Sequence, residues 1–300
     1  MDHLQSNQAV IIKGVAGQYT LHRYNPPFEG IAVPRGIFRK TNHTPLPGDL
    51  VEYAVSGDPD IPYVIEKILP RKNELKRPPM ANLDILLITI STVLPPPDFY
   101  LIDRLTAYAE ILMIKAFLVL TKLDLSASDA IEIVNNYQHA GFPIYQLGLD
   151  RSSDLEKLKS DIKGQIVAFA GQSGVGKSTY LNLLFDDDLM KIGELSNKAG
   201  RGKQTTRHIQ LFPNEASYVA DTPGFQNISL ADAKITGTQL AQGYPEIKKL
   251  ATECMFNDCT HISEPGCAVL DAGPELIHPK RLKRYQFLRQ ELDNYYANMY

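Results

Sequence analysis

The chain is long enough for two or three domains and carries little net charge. Its 300 residues are 44% hydrophobic, so several modest domains can each bury a core. The formal net charge is -3 at pH 7, so any contact with nucleic acid depends on local basic patches. The apolar stretches 83–90 and 111–120 are too short to span a bilayer, and residues 1–10 lack the pattern of a secretory signal. We therefore expect a cytoplasmic protein without a membrane-spanning segment.

The first 71 residues predict a small β-barrel. Short apolar runs alternate with turns rich in Gly and Pro, and they predict strands at 9–15, 19–24, 30–38, 49–56 and 63–69. This many short strands in so short a segment are typical of a closed barrel, most often of the oligonucleotide-binding (OB) type. Arg35, Arg39 and Lys40 could contact phosphates there. A solvated basic rim that binds nothing explains them equally well.

A change of pattern after residue 71 predicts a second domain at 72–227. Apolar runs of strand length at 84–91, 116–120, 142–147 and 165–170 alternate with helical spacing at 100–113, 127–139 and 154–161. Buried strands separated by helices indicate a parallel α/β sheet, in which ligands bind at the carboxyl ends of the strands. From 228 to 300 two helices are predicted, at 240–250 and 279–296, in a third and mostly helical domain.

A complete phosphate-loop sequence lies between the predicted strand 165–170 and a helical run. It has the form G-x-x-x-x-G-K-S followed by a threonine, and its residues are Gly171, Gln172, Ser173, Gly174, Val175, Gly176, Lys177, Ser178 and Thr179. In such a loop the backbone N–H groups and the helix N-terminus face the phosphates. Lys177 reaches the β- and γ-phosphates, and the Ser178 hydroxyl ligates Mg²⁺. A chance glycine-rich turn is the alternative, and the strand-loop-helix context argues against it.

Two later segments can complete a phosphate and magnesium site. Asp221 and Gly224 follow the predicted strand 216–220 in the string Asp-Thr-Pro-Gly. The carboxylate is suited to hold Mg²⁺ through its water shell, and the Gly224 amide can sense the γ-phosphate. The basic, glycine-rich stretch 200–207 offers threonine hydroxyls that can complete the Mg²⁺ shell. Taken alone these segments would be a turn and a surface loop, so their position around the phosphate loop decides the interpretation.

A tetrapeptide after the predicted strand 116–120 predicts a guanine site. It consists of Thr121, Lys122, Leu123 and Asp124. A carboxylate at a strand end accepts hydrogen bonds from N1–H and the 2-amino group of guanine, which adenine does not offer, so Asp124 would select GTP over ATP. Lys122 would pack its stem along the base. A helix N-cap at Asp124 or Ser126 explains the tetrapeptide equally well when it is taken alone.

All three cysteines and one histidine crowd into a short segment near the carboxyl end. They are Cys254, Cys259, His261 and Cys267. Three thiolates and an imidazole are the ligand set of a closed, tetrahedral structural zinc site, so we expect one Zn²⁺ per chain. Free buried cysteines beside a surface histidine are the alternative.

The base motif precedes the phosphate loop, which is the reverse of the order in most translation-factor-like GTPases. With this permuted order, the amino-terminal barrel and the cysteine cluster, the chain resembles the ribosome small-subunit-dependent GTPase A family of bacteria over nearly its whole length. The resemblance implies an OB-fold barrel, a circularly permuted GTPase domain and a zinc domain. It also implies that GTP is hydrolysed to GDP during late maturation of the 30S subunit, with stimulation by the ribosomal particle.

The resemblance also implies roles for single residues and partners. It makes Thr206 the switch threonine that ligates Mg²⁺, and it assigns Asp221 and Gly224 to the second switch. Gln204 stands where the family pattern has a histidine that positions the attacking water. The residues 148–150 replace the usual Ser-Ala pair, so the contact to guanine O6 stays unassigned. The implied partners are the 30S subunit and its 16S rRNA, bound by a monomer, with neither DNA nor a membrane.

Two other functions fit the same motifs. One is a non-ribosomal GTP-dependent switch whose barrel and zinc domain bind a protein partner. The other is a zinc-stabilised RNA-binding module whose GTPase core has lost turnover. Binding to 30S particles separates the first from the leading hypothesis, and the rate of phosphate release separates the second.

Overall fold

The fold is given by a computed structural model of the chain. It describes residues 4–36, 38, 44–123, 125, 127–148, 153–185, 209–214, 217–220, 225 and 228–299, with the backbone alone at 127–129, 178 and 185. The chain divides into two compact units. The first comprises Met1–Ile85, Lys159–Phe169 and Ser178–Pro223, and the second comprises Leu86–Leu158, Ala170–Lys177 and Gly224–Tyr300. The division at 1–71, 72–227 and 228–300 stays a prediction.

The first unit contains a closed five-stranded barrel. Its strands are β1 (Gln8–Val15), β2 (Gln18–Arg23), β3 (Phe28–Pro34), β4 (Leu50–Val55) and β5 (Tyr63–Ile68). They pair in the order β1-β2-β3-β5-β4, and β3 and β5 are parallel while the other neighbouring pairs of the barrel are antiparallel. Alternate apolar side chains such as Ile11, Leu21 and Ile65 point inward and are fully buried, as the period of a strand requires. The predicted OB-type barrel is confirmed.

A two-stranded hairpin follows the barrel, and the sequence did not predict it. It consists of β6 (Glu74–Lys76) and β7 (Pro79–Ala81). The hairpin packs on the turn before β4, where the Ala81 amide donates to the carbonyl of Pro47 over 2.9 Å. A Cβ on Gly48 would lie 1.9 Å from the Ala81 carbonyl oxygen, so only glycine fits this approach. The charged residues and prolines of this segment are typical of linkers, so its sequence did not indicate strands.

Six further strands form one sheet in the order β10-β9-β8-β11-β13-β12. They are β8 (Ile85–Ser91), β9 (Lys115–Thr121), β10 (Ile144–Gln146), β11 (Ile166–Ala170), β12 (Leu211–Asn214) and β13 (Ser217–Ala220). Every residue of β8 and β11 is buried, which explains why β11 is wholly apolar and β8 is apolar except for Thr89 and Ser91. β12 was not predicted, and it runs antiparallel to β13. The predicted parallel pairing is confirmed for β9 with β10 and for β11 with β13, and β12 adds an antiparallel strand at the edge of the sheet.

Four helices accompany these strands along the chain. They are α1 (Phe99–Ile111), α2 (Ala127–Tyr137), α3 (Ser153–Ile162) and α4 (Lys177–Phe185). Helix α1 starts sharply because Pro95–Pro97 cannot continue a helix backwards and Asp98 caps it, its carboxylate accepting from the Leu101 amide over 3.0 Å. The predicted helices agree with these to within a few residues.

The carboxyl-terminal part of the second unit is helical. The segment predicted as helical at 240–250 is divided between two short helices, α5 (Gly237–Gln242) and α6 (Pro245–Leu250). One continuous helix is prevented because Pro245 lacks an N–H and its ring would clash with the preceding turn. Gly243, between the two helices, lies so close to α1 that a Cβ would be 2.7 Å from the Ala107 carbonyl oxygen. The last helix is α7 (Pro279–Ala297). Within the described ranges, no helix has both the length and the apolar character needed to cross a membrane.

Candidate functional site

The phosphate-loop sequence forms the tight connection from β11 to α4 that the motif requires. Gly171, Gly174 and Gly176 have φ of +127°, +79° and +95°, values that side chains with a Cβ rarely adopt. A Cβ on Gly171 would lie 2.3 Å from the carbonyl oxygen of Thr89 on the neighbouring strand. The loop therefore depends on glycine both for its backbone angles and for its close contact with β8. Val175, at its centre, is fully buried.

Lys177 is the first residue of α4 and is half-buried. Its Nζ donates to the carbonyl oxygens of Gly171 over 2.8 Å and of Gln172 over 2.5 Å. Burial lowers the pKa of this ammonium group. The ammonium group thus lies within the curve of the loop, where an anionic group can replace the two carbonyl oxygens as its hydrogen-bond partner.

The base motif is attached directly to the phosphate loop. Thr121, at the end of β9, is fully buried, and its hydroxyl donates to the Val175 carbonyl oxygen over 2.7 Å. The Lys122 Nζ donates to the Gly174 carbonyl oxygen over 2.8 Å and also to that of Leu94. Lys122 has a φ of +59°, which turns its side chain toward the loop. Two motifs that are separate in the sequence are therefore neighbours in the structure.

A segment that the sequence analysis did not single out joins these motifs. Between β8 and α1, the Thr92 hydroxyl donates to the Lys122 carbonyl oxygen over 2.9 Å, and the Thr92 amide donates to that of Thr121 over 3.1 Å. At the other end of the segment the Asp98 amide donates to Oε1 of Gln172 over 3.3 Å. The signal was present, because a strand end followed by three prolines and an N-cap aspartate marks an ordered loop at the ligand edge of a sheet.

The other predicted site residues are only partly described. Leu123 is half-buried in the turn after Lys122, and Ser173 and Thr179 are exposed. The side chain of Ser178 lies outside the described part of the structure, and so do the following residues: Asp124, Gln204, Thr206, Asp221 and Gly224. Their roles stay predictions.

The predicted metal ligands come together in one cluster. The Sγ atoms of Cys254, Cys259 and Cys267 and the ring nitrogen of His261 all lie within 4.8 Å of one another. The His261 Nδ1 is 3.7 Å from Cys254 Sγ and 3.4 Å from Cys267 Sγ, and these two sulfurs are 3.9 Å apart. Burial lowers the pKa of His261 and raises the pKa of the Cys259 thiol to about 12. Burial thus favours the neutral imidazole, which is the ligating form, and disfavours ionisation of the Cys259 thiol unless a cation is close by.

The loop around His261 is held from two sides. The Glu264 carboxylate accepts from the backbone amides of Thr260, Ile262 and Ser263 over 2.7, 3.0 and 3.1 Å. Burial by itself raises the pKa of Glu264, but hydrogen bonds from the Thr260 hydroxyl and from the backbone amides of Thr260, Glu264 and Ser263 lower it to about 2. These bonds stabilise the loop although His261 has a φ of +62°.

The permuted order of the motifs agrees with comparisons to known proteins. Residues 68–231 match the model of a family described as RsgA GTPase. The chain belongs to this family. It is therefore a GTPase, a hydrolase, with the circularly permuted fold that the sequence predicted.

Two curated relatives and two solved structures are similar over nearly the whole chain. The small ribosomal subunit biogenesis GTPase RsgA of Ruminiclostridium cellulolyticum is 41% identical, over 92% of this chain and 90% of the relative. The protein of the same name from Bacillus cereus is 37% identical, over 94% and 96%. The crystal structure of YjeQ from Thermotoga maritima superposes with a TM-score of 0.80 at 29% identity, covering 95% of this chain and 98% of that one. That of YloQ, a circularly permuted GTPase, gives 0.78 at 29% identity, covering 96% and 95%.

Proposed function

We propose that this chain hydrolyses GTP in the late assembly of the small (30S) ribosomal subunit and that the particle stimulates it. The observation that carries the proposal is the attachment of the base motif to the phosphate loop through Thr121 and Lys122. This attachment makes one nucleotide site from motifs in permuted order. Relatives that match this chain over nearly its whole length are named small ribosomal subunit biogenesis GTPases, which supplies the process.

In this proposal the two motifs divide the nucleotide between them. Asp124 accepts hydrogen bonds from guanine, while Thr121, Lys122 and Leu123 hold the base at the end of β9. The backbone amides of the loop from Gly171 to Gly176 receive the phosphates, and the Nζ of Lys177 leaves its loop carbonyls for the β- and γ-phosphate oxygens. This exchange is favourable because a phosphate is a stronger partner for a half-buried ammonium than a carbonyl is.

Hydrolysis transfers the γ-phosphoryl group to water. The water oxygen forms a bond to the γ-phosphorus, the bond to the bridging oxygen breaks with its electron pair going to GDP, and the water proton passes to the released phosphate. Gln204 orients the water, since an amide both donates and accepts hydrogen bonds. Ser178, Thr206 and Asp221 would hold Mg²⁺, which would neutralise the phosphate charge, and the Gly224 amide would contact the γ-phosphate.

We further propose that Cys254, Cys259, His261 and Cys267 hold one structural Zn²⁺. Tetrahedral zinc with ligands at about 2.3 Å for sulfur and about 2.1 Å for nitrogen places the ligand atoms about 3.6 to 3.8 Å apart. The separations among Cys254, His261 and Cys267 are 3.4, 3.7 and 3.9 Å, close to these values, and all four ligand atoms lie within 4.8 Å of one another. Four protein ligands leave no open position, so the metal would stabilise the loop and take no part in hydrolysis.

The finer partner assignments follow from the same proposal. A cytoplasmic monomer would contact 16S rRNA on the 30S particle through its barrel, and it would need neither DNA nor a membrane. The OB-type barrel supports an RNA contact, because barrels of this kind bind oligonucleotides. The names of the relatives support the particle itself as the partner.

The test is phosphate release by the purified chain with and without purified 30S subunits, at saturating GTP and Mg²⁺. We expect the particles to raise the rate and Lys177→Ala to abolish it. Sedimentation with 30S particles in a non-hydrolysable GTP analogue is measured in parallel. The ribosomal assignment would be refuted if the chain hydrolysed GTP but neither bound to 30S particles nor was stimulated by them. That result would favour the switch that binds a protein partner.

A further inference from the structure

The first turn of α1 holds the phosphate loop. The Asp98 amide, at the N-cap of this helix, donates to Oε1 of Gln172 in the loop over 3.3 Å. The segment just before the helix also lies against the loop, since a Cβ on Gly174 would be 3.9 Å from the Pro95 ring. A shift of α1 along its axis would therefore pull directly on Gln172.

The middle of α1 is anchored by a buried cluster of charges. Asp103 is fully buried and accepts hydrogen bonds from Arg281 Nη1 over 2.5 Å, from Arg284 Nε over 2.5 Å and from the Tyr137 hydroxyl over 2.7 Å. Both arginines belong to α7, and Arg284 Nη1 and Nη2 also donate to Asn136 Oδ1 over 3.2 Å. Asp103 follows Asp98 by about 7.5 Å along a helix axis, so the anchor and the loop contact share one short rigid element.

This anchor resists sliding between α1 and α7. Arg281 is itself buried, is bonded to Glu246 over 2.5 Å, and packs over the rings of Tyr137 and Tyr244. Removing any partner would leave a buried charge uncompensated, and a displaced helix would do the same. The exposed ion pair between Lys280 and Glu132, also made by α7, carries no such penalty because water solvates both groups.

We propose that Asp103 and Arg284 are positioning residues for the phosphate loop, acting through α1 and Gln172. The inference rests on the proposed nucleotide site and adds a requirement for the carboxyl-terminal helix. Helix α7 also holds the metal-ligand loop, because the Tyr285 hydroxyl donates to the Thr260 carbonyl oxygen over 3.1 Å and Gln286 Nε2 donates to that of His261 over 3.2 Å. One helix therefore sets the position of both sites.

The test is a double-mutant cycle on the affinity for a fluorescent GDP analogue, using the full chain. Gln172→Met keeps the length of the side chain and removes the acceptor, and Arg284→Met removes one guanidinium from Asp103. We expect each variant to weaken binding by about two- to thirty-fold, the range of coupled sites. The double variant should bind GDP no more weakly than the single variant with the lower affinity, because both substitutions interrupt the same chain of contacts through α1. The control Lys280→Met should bind as the wild type does.

Each of the following results would overturn the inference. One is a folded Arg284→Met protein with wild-type affinity for GDP, and another is a double variant in which the two losses multiply. If Arg284→Met does not fold, Tyr137→Phe removes one hydrogen bond from the buried Asp103 and keeps every charge, and wild-type affinity in that folded variant also contradicts the positioning role. A folded wild-type chain that does not bind GDP would overturn the proposed function together with this inference.

Discussion

Replacing Thr121 by valine tests whether the base motif holds the phosphate loop in place. The two side chains have nearly the same shape, so Thr121→Val leaves the packing at the end of β9 unchanged. It removes a fully buried hydroxyl that donates to the Val175 carbonyl oxygen over 2.7 Å. The loop then loses its central attachment to the motif.

The structure sets the size of the expected effect. A buried carbonyl left without its partner costs about 1–3 kcal/mol, so we expect the free energy of unfolding to fall by that amount. The bond exists without nucleotide, so its loss acts mainly on stability. Binding must now also order a freed loop residue, which costs about 1 kcal/mol and weakens nucleotide affinity by about five-fold. Urea unfolding and titration with fluorescent GDP measure the two quantities.

Thr89→Val is the matched control. Thr89 lies on β8 and is 2% exposed, and its hydroxyl has no hydrogen-bond partner among the residues that the structure describes. Valine there removes a buried polar atom without breaking a bond, so stability should stay the same or rise slightly. If Thr121→Val is as stable as Thr89→Val and binds GDP as the wild type does, the attachment of the motif to the loop has no energetic importance.

Three further predictions concern single residues of the proposed sites. Asp124→Asn should weaken GTP and improve xanthosine triphosphate, because an amide can donate to the oxygen that replaces the 2-amino group; competition binding checks this, and an unchanged preference for GTP would move the base site elsewhere. Metal analysis should find one zinc in the wild-type chain and less than one in Cys267→Ser, and a metal-free wild type with an intact thermal transition would contradict the zinc site. Gln204→Ala should lower the 30S-stimulated kcat by about ten- to a thousand-fold with little change in GTP affinity, and steady-state rates with wild-type kcat would exclude its role in orienting water.

Local chemistry made the barrel, the phosphate loop and the metal cluster predictable. The alternation of apolar residues within 9–69 specifies strands with one buried face, because side chains along a strand point to opposite sides. The loop from Gly171 to Lys177 is defined by its own glycines, and the cysteines and His261 are close in the chain before it folds. In each case the residues that form the feature are near neighbours in the sequence, so the local sequence pattern is enough to predict it.

Only the tertiary structure decided how distant segments meet. Thr121 and Val175 are joined by a hydrogen bond to a backbone carbonyl, and every residue has a backbone carbonyl, so no sequence pattern marks this one. Asp103 interrupts an apolar helix, and Arg281 and Arg284 give α7 a basic face that is indistinguishable in sequence from a solvated surface. Whether such charges face water or one another depends on how helices pack across long stretches of chain. Burial then turns an ordinary set of polar residues into an anchor, because a charge removed from water is stable only beside its partner.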